Sequence, residues 1–161
     1  MGGWYIGATL LDFERSNISG AALARRSFER LLEYCRQTKD DGIPLPANPQ
    51  VRHKLAELAI EIEIGRFLSY RVASIQARGE VPNMEASAAK LYHSELSQRL
   101  ANAGLQILGL HGQLRPDSPW ARLQGHFATI YMVSVSHTIA AGTSEVQRNI
   151  IATRGLGLPK A

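Results

Sequence analysis

Apolar residues recur along this chain at steps of three and four, which is the spacing of a helix face. From about Trp4 to Lys39 the positions Leu10, Phe13, Asn17, Ala21, Ala24, Phe28, Leu31 and Cys35 form one such stripe, weakened only by Gly20. Gln37 to Asn48 breaks the pattern: charged residues, then Gly42, Pro44 and Pro46, predict a loop. A second helix is predicted from Pro49, a favourable first helical residue behind the capping residue Asn48. Its stripe is Val51, Leu55, Leu58, Ile62, Gly65, Ser69 and Val72, widened by Ile60, Ile64 and Phe67. That breadth predicts contact with more than one neighbour. This helix should end near Arg78-Gly79.

A third helix is predicted to begin at Pro82 or Asn83 and to run through Tyr92, Leu96, Leu100, Ala103 and Ile107 to a break at Gly109 and Gly112. Ala86, Ser87, Ala88 and Ala89 would let it approach a neighbour closely. Leu114 to Pro119 reads as a turn, and a fourth helix is predicted over Trp120 to about His137. Gly142 then permits a tight turn into a last helix, capped by Thr143 or Ser144 and stopping near Arg154 ahead of Gly155, Gly157 and Pro159. Ser144 and Gln147 have the spacing of a capping box. No strand pattern and no internal repeat is visible. The elements predict one domain over 1–161, an all-α antiparallel up-and-down four-helix bundle with a short C-terminal helix.

Composition changes this picture little. The 161 residues are 45% hydrophobic and 20% charged, ordinary for a globular protein large enough to bury a core. A net charge of +4 without a dense basic run gives no reason to expect nucleic acid, and suits an anionic small ligand. No apolar run reaches the roughly 20 residues of a membrane span. No secretory signal is visible, and Ile6 stands where a myristoylation motif needs Ser or Thr. The single Cys35 cannot pair internally, lies in an apolar stripe, and suits a reducing cytoplasm.

Candidate chemistry is sparse. His93, His111, His126 and His137 lack metal-ligand spacing, so no metal is expected. Glu57, Glu61 and Glu63, with Lys54 and Arg66 nearby, read as a charged helix face. The start of the last helix is the most suggestive stretch. Small residues there expose N–H groups and a positive dipole end, which suits an electron-rich ligand or is simply an ordinary capped terminus.

Three stretches resemble one family. Ala140-Ala141-Gly142-Thr143-Ser144-Glu145-Val146-Gln147-Arg148-Asn149-Ile150-Ile151, running on to Leu158-Pro159, resembles the C-terminal signature of the acyl-CoA dehydrogenases. Gly104-Leu105-Gln106-Ile107-Leu108-Gly109 resembles the family's flavin-contacting QILGG turn, and Gly3-Trp4 through Leu11-Asp12-Phe13-Glu14-Arg15 resembles the opening of its C-terminal helical domain. The resemblance spans nearly the whole chain, without the family's N-terminal helical domain or middle β domain.

It implies the C-terminal domain of an FAD-dependent flavoprotein of fatty acid metabolism. Such an oxidoreductase removes an α-proton and a β-hydride from an acyl-CoA thioester. The position that carries the base in many members is Ala141 here. One branch, which includes the isovaleryl-CoA and long-chain enzymes, places the base on the first helix of this domain. By that resemblance Glu14 is the catalytic base, with Arg15 beside the carboxylate or thioester; most helix glutamates are simply solvated, but Ala141 and Glu14 together favour the functional reading. An N–H of the turn, here that of Ala141 next to Gly142, would hold the thioester carbonyl. FAD contacts are implied at Thr143 and Glu145, and across a subunit interface at Gln106, Ile107, Leu108 and Gly109. Leu110 replaces the family's second glycine. Arg36 takes the position of an arginine near the adenine end, but the aromatic expected after it is missing from Gln37 to Gly42. The implied partners are a homo-oligomer (dimer or tetramer) or a related heteromeric subunit, and an electron-transfer flavoprotein. The alternative function is a non-catalytic partner subunit that serves assembly.

Overall fold

The computed structural model describes Gly7 and residues 18–159. Over that range the chain is the all-α up-and-down bundle that its stripes predict: α1 (Ile18–Gln37), α2 (Pro49–Ala77), α3 (Asn83–Leu108), α4 (His126–His137) and a short α5 (Ser144–Ile150). The expected start of the first helix at Trp4, and with it Glu14 and Arg15, lies outside the described residues.

In α1 the predicted stripe faces inward. Ala21, Leu31 and Cys35 are buried, and Ala24 and Phe28 are half-buried against the same core. Each fully buried Leu contributes about 1.5–3 kcal/mol relative to an exposed one. The helix ends at Gln37, short of Lys39, because Lys39–Asp40 (β1) leaves it to pair antiparallel with Ile43–Pro44 (β2). Asp41 and Gly42 reverse the chain with φ of 46° and 81°. An Asp-Gly pair tolerates two consecutive left-handed residues, as this tight hairpin turn requires. The loop therefore holds a small ladder that the strandless reading lacked.

Helix α2 begins as predicted: Pro49 occupies the first turn and the Asn48 side chain accepts the Gln50 N–H at 2.9 Å. Leu55, Leu58, Ile62, Gly65, Ser69 and Val72 are buried. The residues that widen the stripe, Ile60, Ile64 and Phe67, are 63%, 45% and 62% exposed, so among the described residues they meet no second helix.

The central helix is α3, which packs against α1, α2, α4 and α5. Its buried side spans Ala86, Ala89, Lys90, His93, Leu96, Leu100, Ala103, Gly104 and Leu108, more of its circumference than the predicted stripe. Small residues make the close approaches possible. A Cβ on Gly104 would lie 2.2 Å from the ring of Phe127, which is fully buried.

Helix α4 starts at His126, not at Trp120. Leu123, Gln124 and Gly125 all have positive φ (49°, 56° and 65°), which no α-helix can include. Gly125 closes against the backbone of Pro116, where a Cβ would come within 2.7 Å of the nitrogen. This reversal delivers Phe127 into the core. At the C-terminus α5 is capped by Thr143, whose Oγ1 accepts the Val146 N–H at 3.3 Å. The capping box expected of Ser144 and Gln147 does not form, because the Gln147 amide turns back into the preceding loop. After Ile150 the helix widens into a π-turn over Ile151–Gly155.

Candidate functional site

The turn between α4 and α5 is built from small residues. The Ser144 N–H donates to the Thr138 carbonyl at 3.1 Å and closes it. At its apex Ala141 and Gly142 have φ of 56° and 97°. The left-handed conformation costs a non-glycine residue about 1–2 kcal/mol, so Ala141 is held there by its surroundings. Two side chains from the bundle reach its carbonyls. Lys90 Nζ donates to Gly142 O at 2.6 Å, and Gln147 Nε2 donates to Ala141 O at 3.0 Å and to Gly142 O at 3.3 Å. Gln147 is fully buried and Lys90 is only 7% exposed, whereas Ala141 faces outward.

Beyond the turn, Thr143 and Glu145 act as a unit. Glu145 is held below the usual carboxylate range first by its own backbone N–H, then by the Thr143 hydroxyl, with Arg148 and Lys90 adding attraction. Glu145 borders a small polar groove with Glu95, Gln98, Arg99 and Arg148.

The other predicted cofactor contacts lie at the far end of α3. Gln106 and Gly109 are exposed, Ile107 is half-buried, and Leu108 belongs to the core. Gly109 has φ of 59°, and nothing lies within 4 Å of where its Cβ would be, so a ligand could approach its backbone. Leu110 does not fill that space and is 84% exposed. Gln106, Gly109 and Leu110 line a cleft of about 1000 Å³ with Asn102, Tyr131 and Met132. Arg36 borders neither this cleft nor the polar groove beside Glu145; its exposed guanidinium pairs loosely with Glu33 at 3.9 Å.

A second cleft, of about 570 Å³, runs between α1, α3 and α4 and ends at Ala140 and Ala141. Ser27, His93 and His126 line it: Ser27 Oγ lies 3.0 Å from His126 Nε2, and His93 Nε2 lies 2.9 Å from the buried Ser69 Oγ of α2 behind it. Burial pushes the pKa of both imidazoles down, and Arg30 adds to the shift at His126. The two clefts share α4 as a wall. Tyr131 and Met132 face the first, while Ile130, Val133 and His137 face the second. Within one chain, then, Gln106 and Gly109 do not share a cleft with Ala141 or with Glu145.

Among the described residues no three His, Cys, Asp or Glu side chains gather as a metal would need. Glu57, Glu61 and Glu63 are a charged face: they pair with Lys54, Arg99 and Arg66 at 2.6, 2.9 and 2.6 Å. Cys35 is buried, and loss of solvation raises its thiol pKa to about 11. No described helix is long and apolar enough to cross a membrane. Sequence reasoning missed Lys90 and Gln147. The available signal was Lys90 itself, a cation at helical spacing from Ala86 and His93 on a face otherwise small or apolar.

The family described as "Acyl-CoA dehydrogenase, C-terminal domain" matches residues 1–156. An acyl-CoA dehydrogenase of Mycobacterium tuberculosis, FadE26, is 31% identical over 99% of this chain and 41% of its own length. An acyl-CoA dehydrogenase of Bacillus subtilis is 33% identical over 96% of this chain and 39% of its own. Among solved structures, a variant of the Tcur3481-Tcur3483 steroid acyl-CoA dehydrogenase superimposes with a TM-score of 0.87 at 31% identity, covering 99% of this chain and 41% of that one. The ChsE4-ChsE5 complex of Mycobacterium tuberculosis gives 0.81 at 32%, covering 88% and 36%. The chain thus spans about two-fifths of the length of these relatives.

Proposed function

This chain belongs to the acyl-CoA dehydrogenase C-terminal domain family, and from that membership we propose that it forms the C-terminal domain of an FAD-dependent enzyme that α,β-desaturates acyl-CoA thioesters. The observation that carries the reading is the Ala141–Gly142 turn. It keeps its shape with an alanine where many members hold the base, so its backbone remains available to a thioester carbonyl. A donor fixed on developing enolate charge lowers the barrier to α-proton removal. By the resemblance the base is then Glu14, with Arg15 favouring its ionised form.

The residues at the two ends of α3 and α5 suit FAD from opposite sides. Thr143 and Glu145 offer a hydroxyl and a polar helix start, while Gln106 offers an exposed amide and Gly109 an open backbone. Bound FAD supplies the hydride acceptor. Since Glu145 and the Gln106–Gly109 pair border separate clefts, the complete site is formed between subunits, each contributing one set. We place Arg36 at the adenine end of that shared site, and an electron-transfer flavoprotein as the oxidant of the reduced enzyme in a reducing cytoplasm. Two of the similar solved structures are named as paired proteins, which supports a heteromeric as well as a homomeric assembly. A non-catalytic partner subunit is the second reading, and Ala141 is the observation that favours it.

The test is Glu14→Gln in the flavin-containing enzyme that includes this chain. Loss of a general base typically costs about 10²–10⁴-fold in rate. Substrate-dependent flavin reduction should fall by that order while flavin content and the far-ultraviolet circular dichroism stay unchanged. Reduction at the unmodified rate would remove Glu14 as the base, and an unaltered enzyme that reduces no flavin with any acyl-CoA would favour the non-catalytic partner.

A further inference from the structure

We propose that Lys90 and Gln147 are positioning residues of the Ala141–Gly142 turn, holding both its carbonyl oxygens toward the bundle and so keeping the Gly142 and Thr143 N–H groups turned outward. Two donors on different helices converge on two consecutive carbonyls at 2.6, 3.0 and 3.3 Å. Every described peptide bond is trans, so a C=O held inward sends the N–H of the same unit the opposite way. The Ala141 carbonyl fixes the Gly142 N–H, and the Gly142 carbonyl fixes the Thr143 N–H. Among the described residues neither of these N–H groups has a hydrogen-bond acceptor, whereas Ser144 N–H is bonded to Thr138.

Burial makes the arrangement purposeful. A lysine or glutamine this deep is costly unless its polar end is used. Gln147 commits its amide N–H2 to the turn while its own Oε1 stays buried without a partner. A capping role would have used that amide locally, as a capping box does. The clamp also accounts for Ala141 in a left-handed conformation that its own side chain disfavours. Lys90 borders the cleft that ends at Ala141, so it reaches the turn from inside the cavity that would receive the ligand.

What the outward N–H groups meet rests on the dehydrogenase reading; the clamp itself does not. Three measurements separate them. In the chain as it stands, Lys90→Met should shift the carbonyl 13C resonance of Gly142, and Gln147→Met should shift those of Ala141 and Gly142, with the remaining helical resonances in place. In the unaltered chain the Gly142 and Thr143 amides should exchange with deuterium faster than that of Ser144. Unmoved carbonyl shifts, or Gly142 protection equal to that of Ser144, would refute the clamp, and the exchange measurement needs no variant to fold. In the flavin-containing enzyme, misplacing the turn should lower kcat by about 10–100-fold in either variant with KM nearly unchanged. If only thermal stability drops while kcat holds, Lys90 and Gln147 are structural and the inference fails. If the unaltered enzyme reduces no flavin with any acyl-CoA offered, the dehydrogenase reading fails, and the carbonyl shifts still decide the clamp.

Discussion

Two imidazoles sit where charge is expensive. His93 is 5% exposed, bonded to Ser69 and edge-on to Tyr92, and its ring crowds Gly65 so closely that a Cβ there would stand 2.9 Å from Cε1. Burial lowers its pKa from 6.5, opposed only in part by its hydrogen bond with the Gly65 backbone; His126 is lowered by burial and then by Arg30. A base whose folded pKa is depressed takes up its proton more readily when unfolded. Its contribution is therefore complete above the ordinary value near 6.5 and is lost as pH falls through the folded value. The shifted carboxylates Glu57, Glu80 and Glu145 start from 4.5, so they titrate below this window. The melting temperature should fall between pH 7.5 and 5.5, and His93→Asn should flatten the fall. An unchanged melting temperature across that range would refute the assignment. Cys35 belongs to the same class: with its thiol pKa near 11, a disulfide reagent at pH 8 should label it only after denaturation.

Among the elements, the contact between α3 and α4 has the least tolerance. Gly104→Ala would drive a methyl into Phe127, which is fully buried and cannot swing away. Overpacking of this kind costs about 1–3 kcal/mol, or a few degrees in the melting temperature of a domain this size. A variant as stable as the parent would show that the two helices can part more easily than their packing suggests. The elements that the sequence disclosed best are those in which one stripe faces one core. Helices α1 and α2 bury the predicted Leu31, Cys35, Leu55, Leu58 and Ile62, and α2 starts at the predicted Pro49 cap. The start of α4 was hidden because Ala121, Leu123 and Gln124 are good helix formers. The left-handed backbone of Leu123 and Gln124 comes with the Gly125–Pro116 contact, which local propensity cannot report. The hairpin was legible in Asp41-Gly42 but lacked alternating flanks. The candidate site divides in the same way: the Gly142-Thr143 cap was readable, while the Lys90 and Gln147 contacts depend on how α3 and α5 pack.

At the scale of the whole molecule, the breadth of α2 is left uncovered by the described residues. Ile60, Ile64 and Phe67 are spaced by four and three residues, so they share one face, and all are exposed. Arg66 stacks 4.9 Å above Phe67 and 5.3 Å from Tyr70, so the patch has a cationic rim around an apolar centre. Tyr131, Met132 and Val135 expose a second apolar face on α4, beside the cleft that holds Gln106 and Gly109. Specific interfaces bury roughly 1,200–2,000 Å² in total and concentrate aromatic and arginine contacts at their centre. The chain should therefore associate, with itself or with a related subunit, through these faces. Light scattering at micromolar concentration should give a dimer or tetramer, or a heteromer once a related subunit is co-expressed. Ile64→Glu with Phe67→Glu should dissociate the assembly on the α2 side without lowering helix content, since both side chains already face solvent. Met132→Glu should act at the α4 face and release bound flavin with it, because that face adjoins the Gln106–Gly109 cleft. A monomer under every one of these conditions would remove the shared site. Dissociation by Met132→Glu with full flavin retention would mean that one chain supplies both sets of cofactor contacts.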